Sequence, residues 1–344
     1  MGRFSRYVSG WFQYPDFHSD PDGFIDSLIE YISANKIGTY IPSHEEGFLV
    51  AKYRDRFPQS VKIPISDFDL IDRCNDKARS AGLAEQLGVD QPKTVVFETR
   101  EQFRKGADLV PSRGVVKSVG SHGSHGISFY SSPGEFREIA LGWDYSDGEI
   151  PVIQEFVEGN IYAVSVMAWE GEPKIVFTRR NIREKEPFGG ACTVCESVDN
   201  GRGAEVAVQI VKAIGFTGPI MFEFLVDEDS DRWCLMEINP RYWGTTAHEL
   251  NCGLDFPFVQ YCLANELPYE NDFSYSNGLV SRWITGEMIG FEKRRRSGRR
   301  VGDLLKEYFS TKADFAMDFA MDDPVPFFVQ AWLYFKHRKK IFSS

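Results

Sequence analysis

The sequence predicts an α+β protein, and three observations carry that expectation. Stretch 220–244, IMFEFLVDEDSDRWCLMEINPRYWG, sets two apolar runs, 220–226 and 232–238, on either side of a polar DEDSD turn, the pattern of a β-hairpin with a five-residue loop. Segments 161–169 (IYAVSVMAW) and 173–180 (PKIVFTRR) read as further strands of an antiparallel sheet. Segments of helical spacing alternate with short strands ahead of them, beginning with Phe24, Ile25, Leu28, Ile29 and Ile32 within 22–34.

Residues 1–21 are aromatic and irregular. After the helix at 22–34, the pattern predicts a strand at 37–42, a helix from His44 to about Phe57, a strand near 61–65 and a helix opening at Asp67 or Asp69. This is part of an open α/β sheet without a clear first βα unit. Stretch 75–94 predicts a helix over 76–87, a Gly88 cap, and Pro92 leading into a strand. Lys77 falls in the first turn of that helix, where a cation gains nothing from the helix dipole; an anionic ligand accounts for it, and so does simple solvation. Strand TVVFE, a helix from Thr99 and strand GVVKS at 114–118 follow.

Lys117 sits in that apolar strand, which runs into a loop carrying Gly120, Ser121, Gly123 and Gly126. Glycines let backbone amides approach phosphate oxygens, and a strand-borne lysine neutralises their charge; a flexible hairpin is the competing reading. The loop matches neither the P-loop nor the dinucleotide fingerprint. PVIQEFVEG (151–159) is a strand ending in acids, which suits a nucleotide hinge: backbone groups of Glu155, Phe156 and Val157 for an adenine edge, and Glu158 for ribose hydroxyls. Arg179, Arg180 and Arg183 then approach a polar stretch containing Gly189 and Gly190; they suit an anionic substrate or a solvated basic edge equally.

In the hairpin, strand alternation groups Glu237, Asn239 and Arg241 with Trp233 and Leu235, and folding about Ser230 sets Glu223 opposite Glu237. Like charges facing each other on a mostly apolar sheet face destabilise it unless something positive lies between them. A hard cation liganded by Glu223, Glu237 and Asn239 removes that conflict, with phosphate oxygens and waters completing its shell; a chance acidic face is the alternative. Pro240 ends the strand.

Lysine strand, glycine loop, acidic hinge and the Glu…Glu-x-Asn-x-Arg hairpin occur in one order from about 76 to 268, and in this the chain resembles the ATP-grasp superfamily of biotin carboxylase, carbamoyl-phosphate synthetase and D-alanine ligase. WG after NPR, CGLDFP at 252–257 and GG ahead of an ES pair look most like the predicted bacterial carboxylate–amine ligases. The resemblance implies an ATP-grasp fold of two α+β subdomains clasping ATP. It divides the chain into a shortened α/β pre-ATP-grasp domain at 1–75, a grasp domain at 76–285 (small lid about 95–156, large subdomain about 157–285) and a basic, aromatic helical extension at 286–344. It gives Lys77, Lys117 and the glycine loop to the ATP phosphates, Glu155 to Val157 to adenine and Glu158 to ribose. Glu223, Glu237 and Asn239 go to Mg²⁺ or Mn²⁺, and Arg241 to the transferred phosphate, with Lys117 and Arg241 as catalytic groups. The usual N-terminal strand–helix–strand is shortened here.

The activity implied is ADP-forming ligation of a small-molecule or sugar carboxylate to an amine through an acyl phosphate. A non-catalytic ATP-binding module that recruits a partner or membrane is the alternative, and an ATP-grasp kinase a lesser one. Among the 344 residues a net charge of −11 argues against a general nucleic-acid binder, and no apolar run reaches membrane-spanning length. The six cysteines suggest free thiols of a reducing, cytoplasmic setting. Downstream, 251–267 predicts a helix with Phe256, Phe258, Val259 and Leu263 in the core, and 278–284 a strand. EKRRRSGRR (292–300) reads as an exposed arginine-rich loop, and 324–342 as an aromatic helix that docks on the protein or lies on a bilayer surface, so peripheral membrane contact stays open. The sequence does not set the oligomeric state.

Overall fold

The structure, a computed structural model, describes residues 2–118, 126–145, 150–185, 190–270 and 272–341. Gly120, Ser121, Gly123 and Gly189 lie outside the described residues. The chain divides into two compact units, one of 66–178 with 200–241, the other of 1–65 with 179–199 and 242–344.

The first unit contains a four-stranded antiparallel sheet in the order Thr94–Val95, Val152–Glu155, Gly114–Lys117, Ile127–Tyr130. Its helices start where the sequence places caps. Thr99 and Gln102 form a reciprocal capping box ahead of Arg100–Lys105, and Ser132 caps Pro133–Gly142 with proline in the first turn. Phe103 and Phe136 from these helices pack with Val116, Tyr130 and Ile153 of the sheet in one core. Gly114 is required here, because a Cβ on it would meet the Tyr130 hydroxyl at 2.4 Å and the Gln154 carbonyl at 2.7 Å. The expected strand TVVFE shortens to Thr94–Val95: Val96 is exposed and Phe97 drops into the core against Gly106, where a Cβ would lie 2.2 Å from its ring.

The same unit carries strands Asn160–Trp169, Gly218–Asp227 and Arg232–Asn239, adjacent in that order and antiparallel. Helix Arg202–Ile214 buries Ala204, Ala207, Ile210 and Val211 and ends at Gly215 in the left-handed conformation (φ 66°). Its Gly203 lets Trp233 approach, since a Cβ there would lie 2.4 Å from the indole ring. Helices Phe68–Asn75 and Lys77–Gln86 meet at Asp76, whose extended backbone breaks the run and whose carboxylate accepts from the Ala78 and Arg79 amides.

In the other unit, Asp20 and Pro21 start helix Pro21–Ala34, and Phe24, Ile25, Leu28 and Ile32 form a core with Val50 and Phe57. The expected strands at 37–42 and 61–65 reduce to one parallel bridge, Thr39↔Lys62. Pro42 and Pro64 bound these segments and have no amide to extend a ladder. The expected helix 44–57 is Glu46–Lys52 followed by a 3₁₀ turn. The expected helix 251–267 forms as Phe256–Asn265, starting later than expected because a separate helix, Thr246–Asn251, ends just before Gly253 (φ 91°); Phe258 is exposed rather than in the core. Strand Val280–Arg282 lies between Cys192–Val198 and Phe315–Ala316.

The arginine-rich segment is also different from expectation. Most of it is the last turn of helix Ile284–Arg296, where four basic residues suit the helix dipole. Arg295 and Arg296 both donate to Glu292, while Arg294 is buried and donates to the Glu184 carbonyl. Helix Val325–Ile341 closes the described chain, and no described helix is long and apolar enough to cross a membrane.

Candidate functional site

The hairpin forms, and its register sets Glu223 opposite Glu237 and Met221 opposite Asn239. It does so by a different route from the one expected. Asp227 pairs with Arg232, leaving a four-residue turn at 228–231, and Phe224 pairs with Leu235. An irregularity between Glu223 and Phe224 leaves Met236 without an opposite residue; without that bulge Glu223 would face Met236. The bulge also exchanges faces. Cross-strand partners share a face, so Glu237 and Asn239 lie with Cys234 and Leu225, whereas Trp233 and Leu235 lie with Val226 and Phe224 on the other side. The Trp233–Phe224 and Trp233–Tyr162 ring contacts, at 5.6 and 5.0 Å, agree with that division. Grouping Trp233 and Leu235 with Glu237 is therefore corrected. The strand ends at Asn239, just before Pro240.

Two lysines converge on the acidic face. Lys77 is not a solvated residue: its side chain is 10% exposed and Nζ lies 3.7 Å from Glu237 Oε1. Lys117 Nζ donates to Gln154 Oε1 at 2.7 Å, and Gln154 Nε2 donates to Thr94 Oγ1. Burial holds the Lys117 ammonium below the ordinary lysine range; Glu237 and Glu223 pull it back up and Lys77 pushes it further down. Two facing carboxylates, a buried amide at Asn239 and two ammonium groups form a site whose charges nearly balance and whose oxygens can ligand a cation. Only two carboxylates take part, so phosphate oxygens or water must supply most of the shell, as Mg²⁺ ordinarily requires. The residues thus fit the ion that the sequence implies.

Beside this face is a cleft of about 250 Å³ lined by Glu155, Phe156, Val157 and Glu158 together with Leu225, Asp227, Arg232 and Cys234. All four expected hinge residues are thus in one cavity. The Glu155 and Phe156 amides donate to the carbonyls of Lys93 and Arg113. The Arg113 guanidinium lies 3.8 Å from the Phe156 ring centroid and pairs with Glu158 at 2.7 Å, an exposed and therefore weak contact that a ligand can replace. Arg232 grips Asp90 through two nitrogens on the opposite wall and holds that carboxyl below its usual range. Burial pushes the Cys234 thiol up to about 12, so it is neutral.

Gln154, Arg113 and the Asp90–Arg232 pair were not singled out from the sequence. A signal for Gln154 existed, an amide inside the apolar run PVIQEF. Asp90 and Arg232 are 142 positions apart, and nothing local links them.

Arg241, at the end of the hairpin unit, donates its backbone amide to the Asn239 carbonyl. Arg179, Arg180 and Arg183 belong to the other unit. Arg180 pairs with Glu196, and Arg179 with the Asn181 amide oxygen. Arg183 is buried against Glu287, itself 1% exposed, and donates to the Glu307 carbonyl at 2.8 Å. Removing Arg183 takes away the nearest cation of Glu287 and leaves that buried carboxylate with Arg294 at 4.0 Å and the Thr193 hydroxyl. Arg183→Ala is expected to lower the unfolding free energy by about 3 kcal/mol, read from denaturant titration, whereas a group used only to hold substrate would leave that midpoint in place. All six cysteines are free and buried, Cys192 and Cys195 among them.

Comparison with known proteins identifies the family and the fold. Residues 74–245 match the ATP-grasp domain family, and the chain belongs to it. Its fold is the α+β ATP-grasp fold. D-alanine–D-alanine ligase of Acidiphilium cryptum (strain JF-5) is 27% identical over 164 residues, 44% of this chain and 54% of that protein, so the chain spans about half the length of the curated relative it matches. Among solved structures, the biotin carboxylase domain of Hydrogenobacter thermophilus 2-oxoglutarate carboxylase, in complex with MgADP, ADP and bicarbonate, superposes with a TM-score of 0.61 at 16% identity, covering 75% of this chain and 61% of that one. The L-amino acid ligase of Bacillus licheniformis gives 0.59 at 17% identity, covering 76% and 65%.

Proposed function

We propose that this chain is an ATP-dependent, ADP-forming ligase that joins a carboxylate to an amine through an acyl phosphate. The observation that carries the reading is the convergence of Lys77 and Lys117 on the cross-strand Glu223/Glu237 pair, with Asn239 on the same face. Relatives that are ligases of D-alanine and of L-amino acids support it.

In this reading Glu223, Glu237 and Asn239 hold Mg²⁺ or Mn²⁺, which supplies charge neutralisation at the nucleotide phosphates when bound. Lys77 and Lys117 carry the remaining phosphate charge. Adenine occupies the cleft beside Phe156 with its edge on the Val157 amide, and Glu158 exchanges Arg113 for ribose hydroxyls. A carboxylate oxygen of the acid attacks the γ-phosphorus and ADP leaves. The amine nitrogen then attacks the acyl carbon and phosphate departs, its charge met by Arg241. No protein nucleophile is required. The acid is a small-molecule or sugar carboxylate. Free thiols and ATP as co-substrate fit a cytoplasmic setting.

The test is ADP release against a panel of amino acids and uronic acids, with hydroxylamine added to trap acyl phosphate as hydroxamate. Release stimulated by an acid, with hydroxamate formed, supports the ligase. A nucleotide-binding module gives no stimulated release, and a kinase gives a stable phosphorylated product; either result overturns the reading.

A further inference from the structure

One surface is used by none of the chemistry above. In helix Val325–Ile341, Val325, Phe328, Trp332 and Phe335 are 50, 62, 58 and 53% exposed. Their spacing of three, four and three puts them on one face of the helix, which points away from the protein. Other positions of the helix hold it in place: Gln330 donates to Thr285 Oγ1, and Phe327 packs edge-on against Phe319.

The N-terminal segment meets this helix. The turn Gly2–Phe4 packs against it, Arg6 donates to Asp323 and the Asp322 carbonyl, and the Tyr7 hydroxyl donates to the Asp322 carboxylate. This segment exposes large side chains as well: Phe4, Tyr7, Val8, Trp11 and Tyr14 are all more than 40% exposed. Two stretches more than 300 positions apart thus bring a row of Trp, Tyr and Phe to the surface of one unit.

The charge around them singles out one occupant. Residues 1–15 carry Arg3 and Arg6 and no acid; residues 324–344 carry Lys336, Arg338, Lys339 and Lys340, with His337, and no acid, in a chain of net charge −11. Arg3 lies over Phe4 and Trp11, and Lys336 over Trp332. A second copy is disfavoured, because it would set these basic segments against one another. Tryptophan and tyrosine flanked by lysine and arginine are instead the chemistry of a bilayer interface, with rings at headgroup level and cations against anionic phosphate. Asp322 and Asp323, just ahead of the helix, are already engaged by Tyr7 and Arg6, and Asp16, just after the N-terminal segment, accepts from the His18 and Ser19 amides.

We propose that the exposed aromatic row of the C-terminal helix and the N-terminal segment docks this protein peripherally on an anionic phospholipid surface.

The test is co-sedimentation of the full chain with phosphatidylcholine vesicles, pure or with about 30% phosphatidylglycerol. The protein is expected to pellet with the anionic vesicles only, and at least about tenfold more weakly in high salt. Phe328→Glu with Trp332→Glu is expected to weaken binding by about tenfold or more. Lys336→Glu with Lys340→Glu removes charge while sparing the apolar row, and is expected to weaken it similarly. No pelleting, equal pelleting with neutral vesicles, or undiminished binding by both variants overturns the proposal. So does self-association in the ultracentrifuge that Phe328→Glu/Trp332→Glu abolishes without any vesicle binding, which assigns the row to a second copy.

Discussion

Glu237→Gln is expected to reduce ADP formation by about a hundredfold or more while leaving the fold in place. Glutamine keeps the length and one oxygen of the side chain, so packing on the hairpin is unchanged, but the site loses one of its two carboxylates. Stability is expected to stay within about 1 kcal/mol of the wild type, because two small effects oppose each other. Relief of the Glu223–Glu237 repulsion favours the variant; loss of the 3.7 Å contact with Lys77 disfavours it. Steady-state ADP release measured alongside a thermal melt separates the two consequences. Wild-type turnover in the variant would sink the proposed role of the pair, and a collapsed melt would make Glu237 a structural residue instead.

That pair also shows where the sequence was legible and where it was not. Apolar runs around DEDSD define a hairpin, and Pro240 defines its end, because both signals are local. A symmetric turn about Ser230 sets the same carboxylates opposite each other. The structure has a shorter turn plus a bulge at Met236, and these two departures cancel at Glu223↔Glu237 but not at Trp233. A bulge is selected by packing across the sheet, here by Trp233 entering the gap above Gly203, and alternation alone carries no trace of it.

Lys77 was ambiguous for the same kind of reason. Its helix position is local, but its burial beside Glu237 depends on a contact 160 positions along the chain. Arg183 illustrates the reverse: a cluster of arginines near a polar loop reads as anion-binding, and only the fold reveals Glu287 behind it. The strands at 37–42 and 61–65 failed because their apolar alternation was real while Pro42 and Pro64 left almost no ladder to form. The capping residues Asp20, Asp76, Thr99 and Ser132 all act through their own next turn, and these helix starts lie within two residues of where the sequence put them, where it named them at all.

Lys117→Met is the second large effect, and it separates binding from stability through pH. Methionine has a similar shape without the charge, so nucleotide affinity is expected to fall by about a hundredfold, the worth of a charge-assisted phosphate contact. The ammonium of Lys117 is depressed below the ordinary lysine range by burial in the folded protein. Between that lowered value and the unfolded-chain value near 10.5, the unfolded state holds more protons than the folded one, so stability rises with pH across this window. The variant lacks the titrating group and is expected to lose that rise, measured as denaturation midpoints from neutral pH to about pH 10. Nucleotide phosphate brings negative charge to Lys117 and raises its proton affinity again. Binding within that window is therefore expected to take up a proton, seen as a dependence of calorimetric enthalpy on buffer ionisation heat that Lys117→Met removes. Proton-neutral binding, with nucleotide affinity unchanged in the variant, would place Lys117 outside the phosphate site and leave Lys77 as its cation.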